Sequence, residues 1–187
     1  IAALAMMKAL TDYMDPDFMT YSADELQRVY ISGKVAVMNE WGSLVQGVID
    51  PKAAPPEVAD NTVLAGAPTV GGGSTPAAAL WWDGFSIARN ISDEDAEASF
   101  RAMVYGIRPE VGQANPDVAT WLTKDYKPGP GAIGVLATAN AGAKPYPMLP
   151  YMGLMHAALG TELADFMQGR ESAEDALKDV ESAYTAA

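Results

Sequence analysis

The sequence predicts an α/β protein in which helices outnumber a few short, mostly parallel strands. Three observations lead there. Apolar residues recur at helical spacing over several segments, and three of these open on a Ser followed three residues later by Asp or Glu. Between them lie brief apolar runs bounded by Gly, Pro or polar residues, the pattern of buried strands. Helices and strands also alternate, which favours parallel pairing.

Leu4, Met7, Leu10 and Met14 stand at helical spacing, so the chain opens on an amphipathic helix. That opening has no initiator Met and lacks the charged start of a signal peptide. It reads as a helix entered partway, and the chain is expected to be the C-terminal portion of a longer protein. Asp15-Pro16-Asp17 predicts a turn, and Ser22 with Glu25 caps a helix through Leu26, Val29 and Tyr30 that Gly33 ends. Lys34 to Asn39 is expected to form a buried strand that leads through Glu40-Trp41-Gly42-Ser43 into a helix over Leu44 to Ile49. Asp50 to Asn61, rich in Pro and Ala, reads as a surface loop, and Thr62 to Pro68 as a strand stopped by its proline.

Gly71-Gly72-Gly73-Ser74-Thr75-Pro76 is a flexible segment. It fails as a phosphate loop, because no Lys-Ser/Thr follows the glycines. Leu80 to Ala88 reads as a strand, and Ser92 with Asp95 starts a helix whose core positions would be Ala96, Phe100, Met103 and Val104. Asn115-Pro116 is expected to begin a short helix carrying Val118, Trp121 and Leu122. Lys127 to Gly134 is a second Pro/Gly linker, and Ala132 to Ala143 is small and poorly patterned. The tail predicts two helices. Leu154, Ala158, Leu159, Leu163 and Phe166 form one stripe, Gly169 stops the helix, and Ser172 with Asp175 opens the next.

Composition narrows the function. With 187 residues, 49% of them hydrophobic and 19% charged, the chain is globular rather than disordered. A net charge of −12 leaves no basic stripe to neutralise phosphates and disfavours nucleic acid and anionic membranes as partners. The absence of cysteine excludes disulfides and thiolate metal sites, and the single histidine, His156, makes a multi-histidine metal site or a His-based triad improbable. No apolar run approaches the ~20 residues of a membrane helix. No cofactor, metal or catalytic residue is expected, and the carboxylates of Asp93, Glu94 and Asp95 are explained by a helix start.

Two aromatic clusters carry the chemistry. Trp41 stands where a strand gives way to a helix, the position beyond strand ends where ligands bind in open α/β sheets. Its indole either fills core or offers a flat face to the C–H surface of a sugar ring. Glu40 beside it can accept from hydroxyls or simply remain solvated. Trp81 and Trp82 are adjacent on a strand and so face opposite ways, which leaves one of them to meet a partner, a ligand or a cleft. Asp83 either takes sugar hydroxyls through charged hydrogen bonds or bonds its own backbone in an Asp83-Gly84 turn. Tyr146 and Tyr151 lie on a segment stiffened by Pro145, Pro147 and Pro150, which either lines a cleft or is a packed connector.

Three motifs in order resemble one family. Ser32-Gly33-Lys34-Val35-Ala36-Val37-Met38-Asn39-Glu40-Trp41 is similar to the G-K-x-A strand and following tryptophan of sugar-binding proteins of ABC importers. Ala67-Pro68, then Trp82-Asp83-Gly84-Phe85-Ser86-Ile87-Ala88 with Ser92 and its helix, resembles their second conserved element. The tail Phe166-Met167-Gln168-Gly169-Arg170-Glu171-Ser172-Ala173-Glu174-Asp175-Ala176-Leu177-Lys178-Asp179 resembles their closing helices. The family is the extracellular solute-binding proteins of the maltose type (family 1).

The resemblance implies a two-lobed periplasmic-binding-protein fold (type II, Venus-flytrap), here lacking most of its N-terminal lobe. On that pattern 1–66 is the first part of the C-terminal lobe, 67–68 a hinge crossing, 69–136 the remainder of the N-terminal lobe, 137–142 the return crossing, and 143–187 the closing helices. It implies no enzymatic activity: a sugar, polyol or oligosaccharide is captured between the lobes and delivered to the permease subunits of the transporter. The ligand-binding positions carried over are Trp41, Glu40, Trp81, Trp82 and Asp83, with Tyr146 and Tyr151 as looser matches. The resemblance places the protein in a bacterial periplasm, free or as an anchored lipoprotein, with no membrane insertion by this segment. A carbohydrate-active enzyme using the same aromatics with a carboxylate pair, and a purely structural α/β domain, are the alternatives. A lobe without its first strands leaves sheet edges uncovered, so the sequence by itself is expected to be unstable.

Overall fold

A computed structural model describes all residues, Ile1 to Ala187. About half of the chain is helical: α1 (Ala2–Leu10), α2 (Ala23–Ile31), α3 (Gln46–Ile49), α4 (Pro56–Ala59), α5 (Asp93–Gly106), α6 (Pro109–Ala114), α7 (Ile133–Asn140), α8 (Met152–Met167) and α9 (Ala173–Ala186). The strands are only β1 (Ala79–Leu80) and β2 (Lys144–Pro145), paired in parallel. The protein is a mixed fold dominated by helices, with a single parallel pair in place of a sheet. It divides into two compact units, 1–21 with 147–187 and 22–146. Both expected crossings, 67–68 and 137–142, fall inside the second unit.

The first unit is built on the α8–α9 hairpin. Gly169 turns it with φ +76, a conformation that costs an L side chain ~1 kcal/mol or more. The N–H of Gly169 donates to the Phe166 carbonyl (2.9 Å) and that of Arg170 to the Asp165 carbonyl (2.8 Å), closing the end of α8. Ser172 then caps α9 by accepting from the Asp175 N–H. Leu4, Phe166 and Ala176 form the core, with Leu163, Met167, Ala173 and Leu177 packed on it. Ala176 is 0% exposed, and only a methyl at that position lets the helices approach so closely. Lys8 of α1 donates from Nζ to the Met167 carbonyl (2.6 Å), a cation on the negative end of α8. Of the predicted stripe on α8, Ala158 and Phe166 are buried, whereas Leu154 and Leu159 are exposed because α1 and α9 cover only one face within this unit.

In the second unit the capping box on α2 forms in full, Ser22 and Glu25 satisfying each other's N–H, and Gly33 (φ +73) ends the helix as predicted. Two side chains tie α2 down: Gln27 donates to the Leu44 carbonyl (3.0 Å), and the Tyr30 and Thr62 hydroxyls meet at 3.2 Å. The Asp50 to Asn61 segment is more than a surface loop: it contains α4 and buries Ala54 and Ala59.

Several expected strands do not form. Lys34 to Asn39 pairs with nothing and Val37 is 87% exposed; an apolar run becomes a strand only beside another strand, and this chain supplies none there. Thr62 to Pro68 is unladdered, and the Ala67 N–H goes instead to the Thr138 hydroxyl (2.9 Å). Of Leu80 to Ala88 only Leu80 is paired, leaving Trp81 to Ala88 irregular. The short helix expected from Asn115-Pro116 through Val118, Trp121 and Leu122 does not form; the helix in this region is α6, ahead of it, with Pro109 in its first turn. Residues 115–129 form an irregular loop instead, closed by Trp121 Nε1 on the Asn115 carbonyl (2.8 Å) and the Tyr126 hydroxyl on the Pro116 and Ala119 carbonyls. Burial raises the Tyr126 hydroxyl above its ordinary value of 10.0. The poorly patterned 132–143 stretch forms α7. Gly134 and Gly66 bring this helix against the 65–67 segment: a Cβ on Gly134 would stand 2.7 Å from the Ala65 carbonyl oxygen.

The accessible surface is 12986 Å². Large apolar side chains of the second unit are exposed, among them Phe85, Phe100, Val104, Tyr105 and Leu122. Phe100 and Val104 are therefore not core positions here. Ser92 caps α5 as predicted; Ala96 and Met103 are half-buried, and no residue of the helix is fully buried.

Candidate functional site

The second unit brings together three aromatic side chains from distant stretches of sequence. The register of β1 with β2 pairs Leu80 with Pro145, and one step further sets Trp81 opposite Tyr146. The Tyr146 N–H donates to the Leu80 carbonyl (2.9 Å) and locks that register. Neighbouring parallel strands lie ~4.8 Å apart, so two rings directly across from each other stack. Trp81 and Tyr146 do so, with centroids 4.0 Å apart and planes at 26°. Trp41 meets Trp81 edge to face, at 5.7 Å and 87°.

Trp41 arrives from the segment after Lys34 to Asn39, held by two contacts. Its own N–H donates to Glu40 Oε1 at 2.7 Å. The next residue, Gly42, lies so close to α7 that a Cβ there would stand 2.0 Å from Val135 Cγ2. Glycine is required at 42 for that approach. Trp41 remains 52% and Trp81 45% exposed, so the cluster packs on itself and still presents ring surface to solvent.

The other predicted positions are placed as follows. Trp82 is 52% exposed and has no aromatic ring against it. Asp83 is exposed on irregular backbone and does not bond its own backbone, so the Asp83-Gly84 turn is not formed. Glu40 has a divided role: Oε1 holds the Trp41 N–H, and Oε2 is buried without a partner. Tyr151 stands in the first unit, exposed, just before α8. The pairing of Trp81 with Tyr146 has no sequence signal, because parallel strands join across long connections and leave no local turn motif. The close approach at Gly42 is likewise visible only as an unremarked glycine after a tryptophan.

The arrangement provides partly exposed indole surface, which suits binding of a ligand with an apolar face. No group of three or more His, Asp or Glu stands together to hold a metal. No helix is long and apolar enough to cross a membrane. Comparison with protein-family models gives no match. Comparison with curated proteins gives none either.

Proposed function

We propose that this chain is part of the substrate-binding component of an ABC importer, capturing a sugar, polyol or oligosaccharide and delivering it to the permease. The observation that carries the reading is the convergence of Trp41, Trp81 and Tyr146, three positions named by the family resemblance and separated widely in sequence, into one partly exposed cluster. Exposed indole surface is what a pyranose stacks on, Trp82 and Asp83 supply further exposed apolar and acceptor groups nearby in sequence, and Glu40 holds the Trp41 backbone. A second support is the meeting of the two segments expected to cross between lobes, joined by the Ala67 N–H to the Thr138 hydroxyl. The uncovered apolar surface fits a lobe whose companion strands lie elsewhere. On this reading the protein works in the periplasm or at the cell surface and catalyses nothing; closure around the ligand is the signal the permease reads.

The test is a panel of sugars and polyols scored by thermal shift and by tryptophan fluorescence. A ligand that binds only the folded state raises the melting temperature, and a hundredfold excess over Kd contributes ~2.7 kcal/mol. A shift with one sugar class, lost in Trp41→Ala or Trp82→Ala, supports the proposal. Silence across the panel overturns it in favour of a structural role for the aromatics. Turnover of a glycoside would point to the enzymatic alternative.

A further inference from the structure

Asp83-Gly84 is the sole Asp-Gly pair in the sequence, and no Asn-Gly pair occurs. Both residues are exposed on backbone that is neither helix nor strand, and the Gly84 N–H makes no hydrogen bond. The Asp83 carboxylate is not engaged either, since no partner holds it. Its carbonyl carbon can therefore swing onto the nitrogen of the following peptide. Glycine at that next position offers no Cβ to obstruct the approach and gives the backbone freedom to close a five-membered ring.

We propose that Asp83-Gly84 is a site of spontaneous aspartyl isomerisation that ages the aromatic cluster. The Gly84 nitrogen attacks Asp83 Cγ, the N–Cγ bond forms, a Cγ–O bond breaks, and one water leaves as the succinimide closes. Water then opens the ring. Attack at Cγ restores aspartate; attack at the α-carbonyl breaks the original peptide bond and leaves the chain running through Cγ, as isoaspartate. No oxidant or cofactor takes part. The product lengthens the main chain by one methylene beside Trp82 and two residues from Trp81, whose register against Tyr146 holds the cluster.

Five other aspartates are blocked by visible features. Asp15 and Asp50 precede prolines, which have no N–H to attack with. Asp95 and Asp175 are bonded to capping serines, and Asp165 to Arg170, each on a helix that restrains the next peptide nitrogen.

The experiment ages the purified protein at neutral pH and physiological temperature. Isoaspartyl groups are then labelled with an isoaspartyl methyltransferase and a radiolabelled methyl donor, and the label is placed by peptide mapping. Label is expected to accumulate with time, mostly in the peptide containing residue 83. Gly84→Ala should slow it by an order of magnitude; a Cβ there meets nothing within 4 Å and φ is not left-handed, so the fold is kept. Asp83→Glu, which would need a six-membered ring, should abolish it. Label no richer at 83 than at other aspartates, or persisting in Asp83→Glu, overturns the proposal. The readout is covalent and needs no ligand, so it stands or falls apart from the solute-binding reading.

Discussion

Gly42→Ala tests how the aromatic cluster is held. The added Cβ would stand 2.0 Å from Val135 Cγ2 and 3.4 Å from Val135 Cβ. Carbon atoms rest at ~3.5–4.0 Å, so about 1.5–2 Å must be opened against one methyl. That methyl cannot simply turn aside, because a valine within a helix is strongly confined at χ1. Overpacking of this kind costs about 1–3 kcal/mol. With a urea dependence of ~2 kcal/mol per M, a 2 kcal/mol loss lowers the unfolding midpoint by about 1 M.

All four tryptophans lie in the second unit, so fluorescence follows that unit alone. Val135→Ala removes the obstructing methyl at a cost of ~1 kcal/mol. If the clash is the cause, Gly42→Ala made in the Val135→Ala background should cost little, giving a coupling of about 1–2 kcal/mol between the sites. Near-ultraviolet circular dichroism from the Trp41–Trp81 pair should weaken in Gly42→Ala and recover in the double variant. An unchanged midpoint in Gly42→Ala, or equal losses in both backgrounds, would refute the reasoning.

Three further outcomes follow from the structure. Phe166→Ala should destabilise the first unit by about 3–5 kcal/mol, seen as lost amide protection across α8 and α9 while the fluorescence of the second unit is unchanged. Lys8→Gln should loosen the C-terminal turn of α8 by ~1 kcal/mol, measured as faster exchange at 165–169, with less effect at high salt. The α2 capping box should make stability depend on pH. Bonds from the Ser22 N–H and hydroxyl hold the Glu25 carboxyl below its ordinary value of 4.5. A depressed folded value means this contribution is present above pH 4.5 and lost as pH falls through the lower folded value. Urea midpoints across that window should fall for the native chain and flatten in Glu25→Gln; a parallel fall in both would show that other carboxylates are responsible.

Helix ends were legible because their causes are local. Ser22, Ser92 and Ser172 each accept from an N–H three residues on, and Gly33 and Gly169 take left-handed turns, all within a few residues of sequence. The strands were not legible. Val35 to Met38 carries a strand-like apolar run, yet a strand is a relation between two segments, and the partner decides. The same reason hides α7, whose small residues carry no stripe and are positioned by glycines that admit the 65–67 segment. At the candidate site, residue types pointed to Trp41, Trp81 and Tyr146 one by one. Their meeting depends on a two-residue parallel register and on a glycine with no room for a Cβ, and both are set by contacts between residues tens of positions apart.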